Sequence, residues 1–110
     1  MSALREKTRE YYDRLKKCRT FADFKATGLD DPLCAEYYWH ADADWGRCAG
    51  CPIRRITGEP ECRGTVAVLM FKRIEQMRDY GVELSAPLEE VETMANLAEM
   101  AFDFVERGEL

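Results

Sequence analysis

Four of the chain's five cysteines, Cys34, Cys48, Cys51 and Cys62, fall within 29 residues in the order C-x13-C-x2-C-x10-C. Residues 41–65 hold three of them, together with four of the seven glycines and two of the four prolines. Such a stretch has little apolar material to pack. Ordering it costs about 1–2 kcal/mol of backbone entropy per residue. Something other than a hydrophobic core must supply that order. Met1 to Glu10 is charged and lacks the apolar run of a secretory signal, so the expected compartment is cytoplasmic, where stable disulfides are rare. Five is also an odd count for a disulfide framework.

That leaves metal ligation or plain thiols, and the spacing favours metal. Cys48-Ala49-Gly50-Cys51 has the spacing by which two thiolates grip one metal from a tight turn, and Gly50 eases that turn. Cys62 is followed by Arg63-Gly64, which suits a second turn whose backbone N–H groups face sulfur. Cys34 completes a tetrahedral all-sulfur set. Four thiolates suit Zn²⁺ in a closed structural site. An iron–sulfur cluster is the alternative, and Cys51-Pro52 gives it some weight. A redox C-x-x-C would need a βαβ setting, and no strand pattern surrounds this one. Cys18 and His40 are reserve ligands. Cys18 sits in helical register with Leu4, Tyr11 and Leu15 and reads first as a buried thiol. His40 follows an aromatic run and reads first as a structural histidine.

Apolar periodicity makes the rest all-α: a small helical domain of four to five helices. The metal-organised loop is expected between the third helix and the two long C-terminal helices. Leu4, Thr8, Tyr11, Leu15 and Cys18 share a face of a first helix over 2–19. Thr20 caps a short second helix that stops at Gly28. Asp31-Pro32 starts a third that runs to His40. One further turn is expected over Pro52 to Thr57, ended by Gly58. Thr65 caps the next helix, with Val66, Leu69, Met70, Ile74 and Met77 on its apolar stripe and Gly81 at its end. Ser85 caps the last, where Leu88, Val91, Ala95, Ala98, Phe102 and Val105 form a seam that Met94, Leu97, Ala101 and Phe104 widen. One domain of 110 residues divides into a basic N-terminal part (1–30), a cysteine-rich segment (31–65) and a helical hairpin (66–110). The width of the last helix serves a core or a dimer equally, so the oligomeric state stays open.

Charge is uneven. The net value is −5, with a pI near 4.9. Residues 1–25 carry +4, residues 26–45 carry −5 and residues 83–110 carry −7. The overall sign disfavours a general nucleic-acid binder. No apolar run approaches the roughly 18 residues of a membrane span. A charged helix face is first of all a solvated face. Beyond that, the basic first helix with Arg54, Arg55 and Arg63 could meet nucleic acid or an acidic protein. The acidic last helix (Glu89, Glu90, Glu92, Glu99, Asp103, Glu106) could meet a basic partner or imitate nucleic-acid charge. Tyr37, Tyr38, Trp39 and Trp45, with Arg54 and Arg55, are the candidate interface anchors, since such residues dominate binding hot spots. Those rings also suit the walls of the metal site.

The elements Leu33-Cys34, Cys48-Ala49-Gly50-Cys51-Pro52-Ile53, Thr57-Gly58 and Cys62-Arg63-Gly64-Thr65 cover about a third of the chain. In them the sequence resembles a group of small uncharacterised cysteine-rich bacteriophage and prophage accessory proteins. Members of that group often carry Thr-Pro after the last cysteine, where this chain has Thr65-Val66. The resemblance implies a bound metal and a phage or mobile-element origin, and so the host cell's cytoplasm. It implies no enzymatic activity.

Three functions compete at this stage. The first is a non-enzymatic zinc protein that docks on a host or phage protein. Its specific version is counter-defence, such as anti-CRISPR inhibition of a host immune effector. The second is a nucleic-acid-binding or transcription-accessory zinc protein, or an iron–sulfur redox or sensor protein if the metal is iron. The third is an enzyme, for which the supply of groups is poor. Glu36 and His40 could share a helix face, but no Ser-His-Asp set, phosphate loop or nucleotide fingerprint occurs. The chain is therefore expected not to be an enzyme.

Overall fold

A computed structural model describes residues 2–28, 31–39, 51–58 and 66–108. Among these residues there are six helices and no strand. They are α1 (Ser2–Lys16), α2 (Phe21–Thr27), α3 (Pro32–Cys34), α4 (Pro52–Thr57), α5 (Ala67–Tyr80) and α6 (Glu89–Glu106). A π-helical turn, Ala35–Trp39, continues α3. The all-α reading holds, with short turns bringing the number above four to five.

Helix α6 organises the molecule, packing against α1, α4 and α5. The sequence pattern explains why. Val91, Met94, Ala95, Ala98, Ala101 and Phe102 are buried, and they form a stripe broad enough for several neighbours. Phe102 and Val91 are joined in the core by Leu15, Phe24, Leu33, Ile53 and Ile74. Helix α1 also meets α2 and α3, and α2 meets α5. The backbone of Leu84, between α5 and α6, donates to the carbonyl of Arg19 at 2.9 Å, which ties that connection to the α1–α2 corner.

Several termini follow local chemistry. Thr20 makes a full capping box with Asp23: the Asp23 amide donates to Thr20 Oγ1 at 3.2 Å, and the Thr20 amide returns a bond to Asp23 Oδ2. Gly58 and Gly81 end α4 and α5 in the left-handed region, at φ 75° and 63°.

Other boundaries differ from the sequence reading. Helix α1 ends at Lys16 rather than at 19, because the Arg19 guanidinium donates to the carbonyls of Lys16 and Cys18 while its amide binds Asp23 Oδ2. Ser85 is not the cap of α6. The chain stays extended through Leu88 (φ −65°, ψ 132°), and the helix begins at Glu89. Pro87 accounts for this, since it biases the preceding residue away from helical geometry. Leu69 is 52% exposed, because the inward stripe of α5 runs through Ala67, Met70, Ile74 and Met77. The continuous helix expected over 32–40 changes to π geometry after Cys34. Thr65 and His40 lie outside the described residues.

Candidate metal centre

Of the four expected ligands, Cys34 and Cys51 are described, and Cys48 and Cys62 lie outside the described residues. Cys34 is half-buried at the end of α3. Cys51 is buried and is the residue from which α4 starts, its carbonyl accepting from the Arg55 amide at 3.1 Å. Pro32 and Pro52 stand at the first positions of α3 and α4, where a missing N–H costs nothing.

The backbone of Cys34 is fixed by a buried polar pair. Asp31, only 8% exposed, accepts from the Cys34 amide through Oδ1 at 2.7 Å. Its other oxygen, Oδ2, accepts from the Tyr12 hydroxyl, also at 2.7 Å. Tyr12 comes from α1 and is 2% exposed. Burial holds the Tyr12 hydroxyl well above its ordinary pKa, with Asp31 and Cys34 adding to the effect, so it stays a donor. Tyr37 lies three residues beyond Cys34, in the π-helical turn. Burial raises its hydroxyl too, Cys51 and Glu36 are close enough to reinforce this, and Arg55 opposes it. Tyr37 is thus close to Cys34 along the chain, and Cys51 acts on its hydroxyl electrostatically.

These two positions fit thiolate ligation. Sulfur is the donor that a closed zinc or iron–sulfur site takes, and both cysteines root in backbone that is already hydrogen-bonded. Among the described residues no group of three His, Cys, Asp or Glu side chains comes together. Asp31 is occupied by Tyr12 and by the backbone, so it serves as support.

The reserve ligand Cys18 is elsewhere. It is buried, its Sγ lies 3.4 Å from the Arg14 carbonyl and 3.5 Å from Thr27 Oγ1, and it packs as a small core residue. Of the candidate interface residues, Tyr37 and Arg54 are half-buried and Arg55 is exposed. The side chains of Tyr38 and Trp39, with Trp45 and Arg63, lie outside the described residues.

The sequence reading missed two features. One is Tyr12, which sits one position off the apolar register of α1 and is drawn inward by Asp31. Its signal was a tyrosine beside Tyr11 among charged residues, which does not identify a partner. The other is the pairing of α1 with α6. Arg5, 15% exposed, donates to Glu99, Asp103 and Glu106, each at 2.7 Å, and Arg9 binds Glu99 at 2.8 Å. The Arg9 hydrogen bond leads in holding the Glu99 carboxyl down at about 2, and Arg5 adds to it. The Arg5 guanidinium also lies 6.0 Å from the Phe102 ring centre. A shallow groove of about 130 Å³ runs beside this network, with Thr8, Tyr12, Lys16 and Asn96 on its walls.

No family model, curated protein or solved structure matches the chain.

Proposed function

We propose that the chain is a non-enzymatic, zinc-stabilised protein-binding module, with Cys34, Cys48, Cys51 and Cys62 as the ligands of one closed site. The observation that carries this reading is the placement of Cys34 and Cys51, each at the edge of a short, proline-started helical segment and each with its backbone held by a hydrogen bond. Zinc would help to order the glycine-rich segment, whose sequence offers little apolar material to pack, because metal binding and folding are coupled. The four thiolates would close the coordination sphere. The chain's own residues would do the recognising: Tyr37, Arg54 and Arg55, together with Tyr38, Trp39 and Trp45. An iron–sulfur cluster is the alternative occupant of the same thiolates.

The internal pairing of Arg5 and Arg9 with α6 weighs against a nucleic-acid partner, since it withdraws two cations from the basic helix. Inhibition of a host defence effector such as a CRISPR complex is the specific version that the phage resemblance suggests. It predicts that expressing the chain restores infection of a CRISPR-immune host.

The test of the module has two parts. Cys48→Ser and Cys51→Ser should lower zinc content and melting temperature together, whereas Cys18→Ser should leave zinc content unchanged. Equal zinc content in all three variants would end the four-cysteine assignment. A mobility-shift assay with duplex DNA and RNA should give no salt-sensitive complex. A shift that weakens steeply with salt would make the chain a nucleic-acid binder instead.

A further inference from the structure

We infer that Tyr12 and Asp31 are positioning residues for the cysteine site, acting through the backbone of Cys34; this rests on the reading of Cys34 as a zinc ligand. Capping a short helical turn needs one oxygen and no burial, and a serine or asparagine does it at the surface. Here the cap is a carboxylate only 8% exposed, and a residue from another helix is spent on its second oxygen. Burying a carboxylate is unfavourable unless its lone pairs are satisfied. This one is satisfied by two bonds of 2.7 Å that point in different directions, to Tyr12 on α1 and to the amide of Cys34. The Asp31 carbonyl adds a third contact, accepting from the Ala35 amide at 3.0 Å. The turn that carries Cys34 is thereby clamped to α1 on the side facing the core, while its half-buried thiol is set at a defined place. Supporting contacts of this kind orient metal ligands, and their loss typically weakens metal affinity by 10–100-fold.

A purely structural role predicts something different. It would lower stability and leave the zinc affinity of the folded protein unchanged. The Thr20 cap supplies the control, because it closes α2 in a similar way without touching Cys34 or Cys51.

The experiment measures zinc affinity of the full chain by competition with a chromogenic chelator, alongside helix content by circular dichroism. The proteins are the wild type, Tyr12→Phe, Asp31→Asn and Thr20→Ala. Tyr12→Phe removes one oxygen and keeps the ring packed. The expected result is one zinc per chain in all four, with affinity lower by about tenfold or more in Tyr12→Phe and Asp31→Asn and unchanged in Thr20→Ala. Wild-type affinity in a folded Tyr12→Phe overturns the inference while leaving the zinc site standing. Loss of helix content in Tyr12→Phe also overturns it, because the pair would then be a contact that determines the fold. A wild type that takes up no zinc removes the site itself, and the inference with it.

Discussion

The two ends of α1 solve different problems. Its N-terminal half meets α6 through charge: Arg5 and Arg9 bind Glu99, Asp103 and Glu106, and Arg5 lies over Phe102. Its C-terminal half meets α3 through Tyr12 and Asp31, next to Cys34. The first contact is complete in itself. Two arginines and three carboxylates of what looked like two surfaces for outside partners are spent on each other. The second contact fixes the amide of Cys34 through Asp31. A complementary charge pattern within one small chain is thus a poor guide to partners.

The largest way to break this comparison is to remove the apolar layer under the ionic network. Phe102→Ala should cost about 3–5 kcal/mol, read as a shift in the urea midpoint, because the ring is 1% exposed. A cost under about 1 kcal/mol would mean that α6 is not the organising helix. Arg5→Ala sharpens the comparison. It should cost about 1–2 kcal/mol at low salt, most of which disappears in high salt, with zinc content unchanged. Zinc loss in that variant would show that the two regions are coupled.

The pH dependence tests the same network without mutation. The Glu99 carboxyl is held at about 2, against an ordinary 4.5. The folded state therefore binds fewer protons than the unfolded state between these values. The contribution of Glu99 is fully present above about pH 5 and fades as pH falls towards 2. Glu99 is 34% exposed, so solvent screening limits this to about 1 kcal/mol. Thermal unfolding followed from pH 6 down to pH 3 should show a slope that is reduced in Glu99→Gln. The smallest expected effect is at the α2 cap. Thr20→Ala should cost about 0.5–1 kcal/mol in the urea midpoint and leave both regions intact.

What could be read from the sequence follows from the range of each signal. Three-and-four spacing located α1, α5 and α6, and it identified Val91, Ala98 and Phe102 as core, because helical burial repeats locally along the chain. Thr20, Asp31, Gly58 and Gly81 were legible as punctuation for the same reason. The misplaced start of α6 shows a local conflict: Ser85 is a good cap in isolation, yet Pro87 keeps the chain extended and Leu88 is buried as the helix begins. Leu69 shows another. It is apolar and in helical spacing, but the neighbours of α5 lie on the other side. Tyr12 with Asp31, and Arg5 with Glu99, join residues 19 and 94 positions apart. No spacing rule reaches that far. For the candidate site, the sequence supplied the residue types, and the structure adds the support around Cys34 and the neighbourhood of Tyr37.

The most direct test of the cysteine account is elemental analysis with an absorption spectrum on freshly purified, anaerobically handled protein. The account predicts one zinc per chain and no visible band. Iron with a broad band near about 400 nm would replace zinc with a cluster and a redox or sensing role. No metal would contradict the account outright and leave the cysteines as ordinary thiols.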